Sequence, residues 1–200
     1  MRRKIKRFLA SRNQNILFDG DDRLFKQKVL DANVVGEYGC GKSTNWILKN
    51  TNAQLLSVDT SSQWVKRTCE INSPFLDRLS IEHVDVGPLG NWGRPVGYSH
   101  AENFSTYTDS IWSHVLKPDL IIVDGRFRVA CFLTSLKNAD EGALIFFDDY
   151  TNRPHYHYVE NYVSRVEVCG RQSMFIVPPK NTLDMQSLDR DIERFRYVLD

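Results

Sequence analysis

Gly36-Glu37-Tyr38-Gly39-Cys40-Gly41-Lys42-Ser43 is the stretch on which the fold turns. The apolar run Asn33-Val34-Val35 enters it, and Thr44-Asn45-Trp46-Ile47-Leu48-Lys49 leaves it with the look of a helix. Strand, glycine turn and helix form the opening unit of an α/β sheet. Outward from there the alternation continues. Gln54–Asp59 reads as a strand ending in an acid, followed by a Ser-Ser turn and a helix from Trp64 to Glu70. Ile81–Val86 alternates with period two, as a half-buried strand does. Asp119–Asp124 and Ala143–Asp148 are continuous apolar runs, the pattern of strands buried on both faces, with a helix over Val129–Lys137 between them. The rhythm then breaks. Val163–Cys169 and Ser173–Val177, around Gly170-Arg171-Gln172, read as an antiparallel hairpin. After Pro178-Pro179, Leu188, Ile192, Phe195 and Leu199 share one helical face. No repeat or linker divides the chain. One domain is expected over 1–200, with a basic arm over 1–30, a core over 33–178 and a terminal helix over 180–200.

Two readings fit the glycine stretch. It matches the phosphate-binding pattern GxxxxGK[ST] letter for letter, between a strand and a helix as that motif requires. On that reading Lys42 reaches terminal phosphates and Ser43 binds Mg²⁺, as in an ATP-dependent small-molecule kinase using Gly36–Ser43. The same residues also read as Glu37-x-Gly39-x-Gly41, an acid followed by closely spaced glycines whose backbone admits a ligand where side chains would collide. That is the form of the first motif of class I S-adenosylmethionine-dependent methyltransferases. Four features favour it. The second strand ends in Asp59, placed for ribose hydroxyls as in other doubly wound folds. The third ends near Asp85, and the fifth ends in Asp148-Asp149, a pair without a role in phosphate transfer. The closing hairpin matches the reversed last strands of these methyltransferases. Lys42, and Ser43 in place of a third glycine, count the other way. The missing glycine also keeps open a non-catalytic scaffold of the same fold.

Longer blocks carry a resemblance. Glu37–Trp46, Ser57–Val65, Val84–Pro88 with Trp92-Gly93, Val123–Cys131, Phe147–Tyr150 and Arg153–Tyr156 resemble a group of class I methyltransferase-like proteins. The likeness spans roughly residues 33 to 178, and Asp124-Gly125-Arg126-Phe127-Arg128-Val129-Ala130-Cys131 is its most specific part. It implies a Rossmann-like, mostly parallel seven-stranded sheet with a C-terminal antiparallel hairpin and helices on both faces. It also implies S-adenosylmethionine as cofactor. The expected contacts are Glu37, Tyr38, Gly39, Cys40, Gly41 and Ser43 from the loop, then Asp59 and Thr60, and finally Asp85 and Val86. Methyl transfer to an oxygen or nitrogen acceptor follows, and the sequence carries no signature of the acceptor or of an oligomeric state.

Asp124, Asp148 and Asp149 close neighbouring strands, so their carboxylates are expected to converge. Three hard oxygen ligands there would suit Mg²⁺, in an arrangement that resembles catechol O-methyltransferase-like enzymes, although Asn often stands where Asp149 does. The competing expectation is a structural network in which Arg126, Arg128 or Arg153 pairs with these acids. Asp124 and His155 are the candidate bases. The long loop from Gly87 to about Thr106 is a candidate pocket wall, and Trp92, Tyr98 and Tyr107 either line that pocket or anchor the loop.

The net charge of +1 conceals a split: residues 1–12 carry six Lys/Arg and no acid, leaving 20 basic against 25 acidic side chains in the rest. The body's acids at the strand ends point to an acidic pocket, suited to a cationic cofactor or a metal. In the arm, Phe8 and Leu9 among the cations suggest a short amphipathic helix. Nucleic acid is not expected as a partner, except through this basic arm. Only Phe8-Leu9-Ala10 follow the leading cations, too few for a secretory core. No window reaches the roughly 20 apolar residues of a membrane span. Cys40, Cys69, Cys131 and Cys169 lack metal or CxxC spacing, which fits reduced thiols in a cytoplasmic protein.

Overall fold

The computed structural model describes residues 16–18 and 21–200. Residues 1–15, which hold the six leading cations with Phe8 and Leu9, lie outside the described residues.

Among the described residues one sheet of seven strands forms the centre. Its strands are β1 (Val34–Tyr38), β2 (Gln54–Asp59), β3 (Leu79–His83), β4 (Leu120–Val123), β5 (Leu144–Phe147), β6 (Glu167–Cys169) and β7 (Gln172–Ile176). They lie in the order β3-β2-β1-β4-β5-β7-β6. The first five are mutually parallel; β7 runs antiparallel to β5, and β6 antiparallel to β7. The strand order reverses at β1/β4, where an open α/β sheet leaves a crevice beyond its carboxyl ends.

The apolar runs are continuous because both faces are covered. In β4, Leu120 and Ile122 face one core, with Phe25 and Val29 of α1 (Arg23–Val29) and Ile47 and Leu48 of α2 (Lys42–Asn50). Ile121 and Val123 face the other. That second core holds Phe104 and Tyr107 of α4 (Phe104–Asp109), most of α5 (Arg128–Asn138), and Leu188 and Ile192 of α6 (Met185–Phe195). Helix α3 (Ser62–Ile71) is amphipathic, with Thr68 its one buried side chain.

β3 departs from the expected Ile81–Val86. Among the described residues its one sheet neighbour is β2, which ends at Asp59 opposite His83, and Asp59 O takes the Val84 N–H as the last bond. Beyond that the described residues offer no strand partner, so Val84, Asp85 and Val86 leave the ladder despite their alternation. The register aligns the ends of β1, β2, β4 and β5, since Tyr38 pairs with Val58 and Val123, and Val123 with Phe147. Gly39, Asp59, Asp124 and Asp148 therefore emerge on one edge.

Candidate functional site

The turn after β1 is fastened from within. Gly39 N–H donates to Val58 O at 2.9 Å, Cys40 N–H to Asp59 Oδ2 at 3.1 Å, and Gly41 N–H to Thr44 Oγ1 at 2.8 Å. Beneath it lies Glu37, fully buried and accepting hydrogen bonds from Ser43 Oγ, Thr44 Oγ1 (2.6 Å) and Ser57 Oγ (3.0 Å). Burial pushes the Glu37 carboxyl up to about 7, against the pull of the three hydroxyls. The glycines do different work. Gly39 has φ +91°, and a Cβ there would sit 2.7 Å from Gly125 Cα, so the loops after β1 and β4 touch backbone to backbone. A Cβ on Gly41 would meet nothing nearer than the Trp64 ring at 3.5 Å.

Gly41 opens onto a cavity of about 770 Å³. One wall is the glycine turn with Lys42 and Ser43; another is Asp59, Thr60 and Ser61 at the end of β2. Ser61 N–H donates to Asp59 Oδ1 at 2.8 Å, which fixes the carboxylate at the cavity edge, and burial raises its pKa. Trp64 is held by its Nε1–H, which donates to Cys40 O. Trp92 stands across the mouth, 92% exposed, on left-handed backbone with φ 63°. The next residue is pinned, since Thr60 Oγ1 donates to Gly93 O at 2.8 Å. Tyr107 closes the floor, where its OH accepts the Arg126 N–H at 3.1 Å. A neighbouring hollow of about 550 Å³, lined by Asp85 and His83, shares Thr60, Ser61 and Gly93 with the first.

The far wall is a lattice of carboxylates and guanidiniums. Asp124, Asp148 and Asp149 each offer an oxygen within 4.8 Å of the others. Arg128 reaches Asp124 Oδ1 at 3.0 Å and Asp149 Oδ2 at 3.3 Å. Arg153 reaches Asp149 Oδ2 at 2.8 Å. Arg171 binds Asp148 through Nε at 3.0 Å and through Nη2, and Asp149 Oδ1 through Nη1 at 3.2 Å. Burial and the Asp148 carboxylate push Asp124 upward while Arg128 draws it down. Three acids are thus matched by three arginines. A divalent cation among them would face three fixed positive charges, with both oxygens of Asp148 and of Asp149 and Oδ1 of Asp124 already paired, so the donor set does not fit Mg²⁺.

No protein-family model matches the sequence, and no curated protein matches it. Solved structures do. A methyltransferase-like protein from Silicibacter pomeroyi aligns with a TM-score of 0.71 at 28% identity, over 84% of this chain and 91% of that one. The N-methyltransferase NodS from Bradyrhizobium japonicum, solved with S-adenosyl-L-homocysteine, aligns at 0.52 and 15% identity, over 88% and 98%. An O-methyltransferase from Bacillus cereus, also in complex with S-adenosyl-L-homocysteine, gives 0.53 and 14%, over 78% of each chain. The fold is that of the class I methyltransferases.

Within that fold the expected residues divide. Gly39, Cys40, Gly41, Ser43, Asp59 and Thr60 line the main cavity, as do Asp124 and Asp149. Glu37 and Tyr38 do not; both are buried behind the turn, and Tyr38 OH donates to Thr108 O at 2.6 Å. Asp85 lines the adjoining hollow, its carboxylate accepting Gly87 N–H at 2.9 Å and lying 3.3 Å from His100 Nδ1, while Val86 packs into the core. Asp148 is sealed behind Arg171. His155 is exposed, its ring tilted against that of Tyr156, and it does not line the cavity. The acidic pocket is therefore replaced by mixed charge, because the acids that reach the cavity bring arginines with them. Arg128 and Arg153 join the network as the competing expectation had it, whereas Arg126 Nη1 donates to Asp200 O at 2.8 Å. Arg171 and Trp64 line the cavity beyond the expected set. The hairpin reading held the signal for Arg171, since an antiparallel β7 must start where β5 ends.

The phosphate-loop alternative fails here. Gly36 sits inside β1, where a Cβ would lie 2.7 Å from Ile111 Cδ1, and the amides of residues 39, 40 and 41 are already bonded to the protein. Among the described residues no helix is long and apolar enough to cross a membrane, and all four cysteines are free thiols.

Proposed function

We propose that this chain binds S-adenosylmethionine and transfers a methyl group to an oxygen or nitrogen acceptor. The observation that carries the reading is the glycine turn beside Asp59. Gly41 leaves a backbone-lined opening that a Cβ would fill, next to a carboxylate held at the cavity edge by Cys40 and Ser61 amides. The likeness to the methyltransferase-like protein at 28% identity supports it, as does the resemblance of the Asp124–Cys131 block to a methyltransferase-like group.

In this reading Gly39, Cys40, Gly41 and Ser43 flank the amino-acid end of the cofactor, and Asp59 accepts the ribose hydroxyls. Thr60 and Asp85 border the adenine, in the hollow that adjoins the main cavity. Glu37 positions the turn through Ser43 and Thr44 instead of touching the ligand. S-adenosylmethionine, when bound, supplies a methyl group on an already electrophilic sulfonium. The protein's work is in-line placement and a proton acceptor, and Asp124 is the carboxylate at the cavity available for that role. Free thiols fit a cytoplasmic setting.

Thermal-shift measurements with S-adenosylmethionine, S-adenosylhomocysteine, ATP with Mg²⁺, and buffer test the assignment, because a ligand of the native state raises its stability by mass action. Stabilisation by the two sulfur nucleosides is expected. Stabilisation by ATP alone would overturn the reading, and none by any ligand would leave a scaffold.

A further inference from the structure

We propose that the methyl acceptor carries an oxyanion, a carboxylate or phosphate group, and that Arg153 receives it. This rests on methyl transfer in the cavity described above.

The cavity walls carry Lys42, Arg126, Arg128, Arg153 and Arg171 against only Asp59, Asp124 and Asp149. Most of these cations are spent on the protein. Arg128 is 3% exposed and donates through Nε to Gly125 O, through Nη1 to Asp148 O and through Nη2 to Asp124 O. Arg171 gives Nε and Nη2 to Asp148. Arg126 gives Nη1 to Asp200 O. Arg153 differs, with a side chain that is 40% exposed. One Nη2 hydrogen serves Asp149, and Nη1 donates to Tyr156 OH at 3.1 Å. A guanidinium has five N–H groups, so Nε–H and one hydrogen on each terminal nitrogen are left without a partner among the described residues.

The group is also held still. Asp149 fixes one edge, and the buried Tyr156 ring lies 5.7 Å from the guanidinium carbon. Asp149 itself occupies left-handed backbone, φ 58°, while gathering Arg128, Arg153 and Arg171. Strain of this kind persists where the surroundings over-determine it. A fixed planar fork facing a cavity matches carboxylate and phosphate geometry and loses little freedom on binding. The cofactor's own carboxylate is a poorer occupant. Asp149 follows β5, two strands from β1 in the sheet order, which at roughly 4.8 Å per strand puts Arg153's anchor about 10 Å from the glycine turn.

The experiment titrates inorganic phosphate, and separately acetate, against chloride at equal ionic strength, with and without S-adenosylhomocysteine, reading the melting temperature of the full chain. Wild type is expected to be stabilised by the oxyanions beyond chloride. Arg153→Met should bind phosphate roughly tenfold more weakly or worse, with unchanged S-adenosylhomocysteine affinity. Arg153→Lys keeps the charge without the fork and is expected to fall between, which covers the case in which Arg153→Met folds poorly. Three results would overturn the proposal: no oxyanion effect in wild type, an equal effect in Arg153→Met, or loss of S-adenosylhomocysteine affinity in that variant. Absence of any S-adenosylhomocysteine shift in wild type would count against the methyl-transfer reading instead, and the phosphate arm separates the two failures.

Discussion

Thr44 Oγ1 stands between Gly41 and Glu37, accepting the Gly41 N–H at 2.8 Å and donating to Glu37 Oε2 at 2.6 Å. One hydroxyl thus ties the glycine turn to the strand beneath it. Thr44→Val keeps the shape, leaves the Gly41 amide unpaired and removes one of the three hydroxyls on Glu37, whose Oε2 keeps only Ser57 Oγ. A loss of roughly 1–3 kcal/mol is expected in chemical denaturation, with weaker S-adenosylhomocysteine binding, while Thr44→Ser retains both. Equal behaviour of the two variants would remove the role given to this hydroxyl.

Glu37 gives a pH dependence of defined sign. Its ordinary value of 4.5 is raised to about 7 by burial. The folded state therefore holds the proton more tightly, and stability is lost as pH rises from about 4.5 to about 7, levelling above that. Relative to Glu37→Gln, wild type should lose up to about 3 kcal/mol across this window. A stability difference that stays flat from pH 4.5 to 7 would contradict the assignment.

Gly41 and Gly125 separate ligand space from protein packing. A Cβ at Gly125 would stand 2.1 Å from Tyr107 OH and 2.8 Å from Gly39 N. Gly125→Ala should therefore destabilise the fold by roughly 1–3 kcal/mol or more. Gly41→Ala, whose Cβ has room beside Trp64, should stay within about 0.5 kcal/mol of wild type yet lose S-adenosylhomocysteine affinity. Calorimetry beside thermal melts checks both halves.

Arg171 is the counter-ion of a wholly buried carboxylate, Asp148. Arg171→Leu leaves that charge uncompensated, at a cost of roughly 3–5 kcal/mol. Adding Asp148→Asn in the same chain should recover much of it. Additive losses in the double variant would mean the two side chains act independently.

Since each aspartate of the far wall already has a guanidinium, Mg²⁺ or Mn²⁺ should give no binding heat with wild type or with Asp148→Ala. A saturable heat that Asp148→Ala abolishes would restore a metal centre.

What could be read in the sequence was what a single element decides. β4 and β5 are legible because burial on both faces leaves no polar position inside them. The convergence of Asp124, Asp148 and Asp149 followed from strands ending level. Their partners did not follow, because Arg153 and Arg171 return from segments that fold back over the edge. Alternation running on through Val86 puts Asp85 at a strand end, and nothing in that window shows where β2 stops. Gly39 looked like an opening for a ligand; its tightest neighbour is Gly125, far along the chain, a contact no local pattern encodes. Glu37 illustrates the same limit. Its position in the motif was plain, but the hydroxyls that enclose it come from two further elements.

Arg153 and Arg171 follow all three aspartates in the chain. As the chain is made from its amino end, the acids of the far wall exist before two of the guanidiniums that balance them. Of the three guanidiniums, Arg128 alone belongs to the parallel half of the fold, and the other two come from segments after β5. β7 then docks antiparallel beside β5 carrying Arg171 at its leading end. Arg171 thus ties the last hairpin to β5 by charge as well as by ladder bonds, and the cavity wall depends on the outermost strands of the sheet as much as on its parallel half.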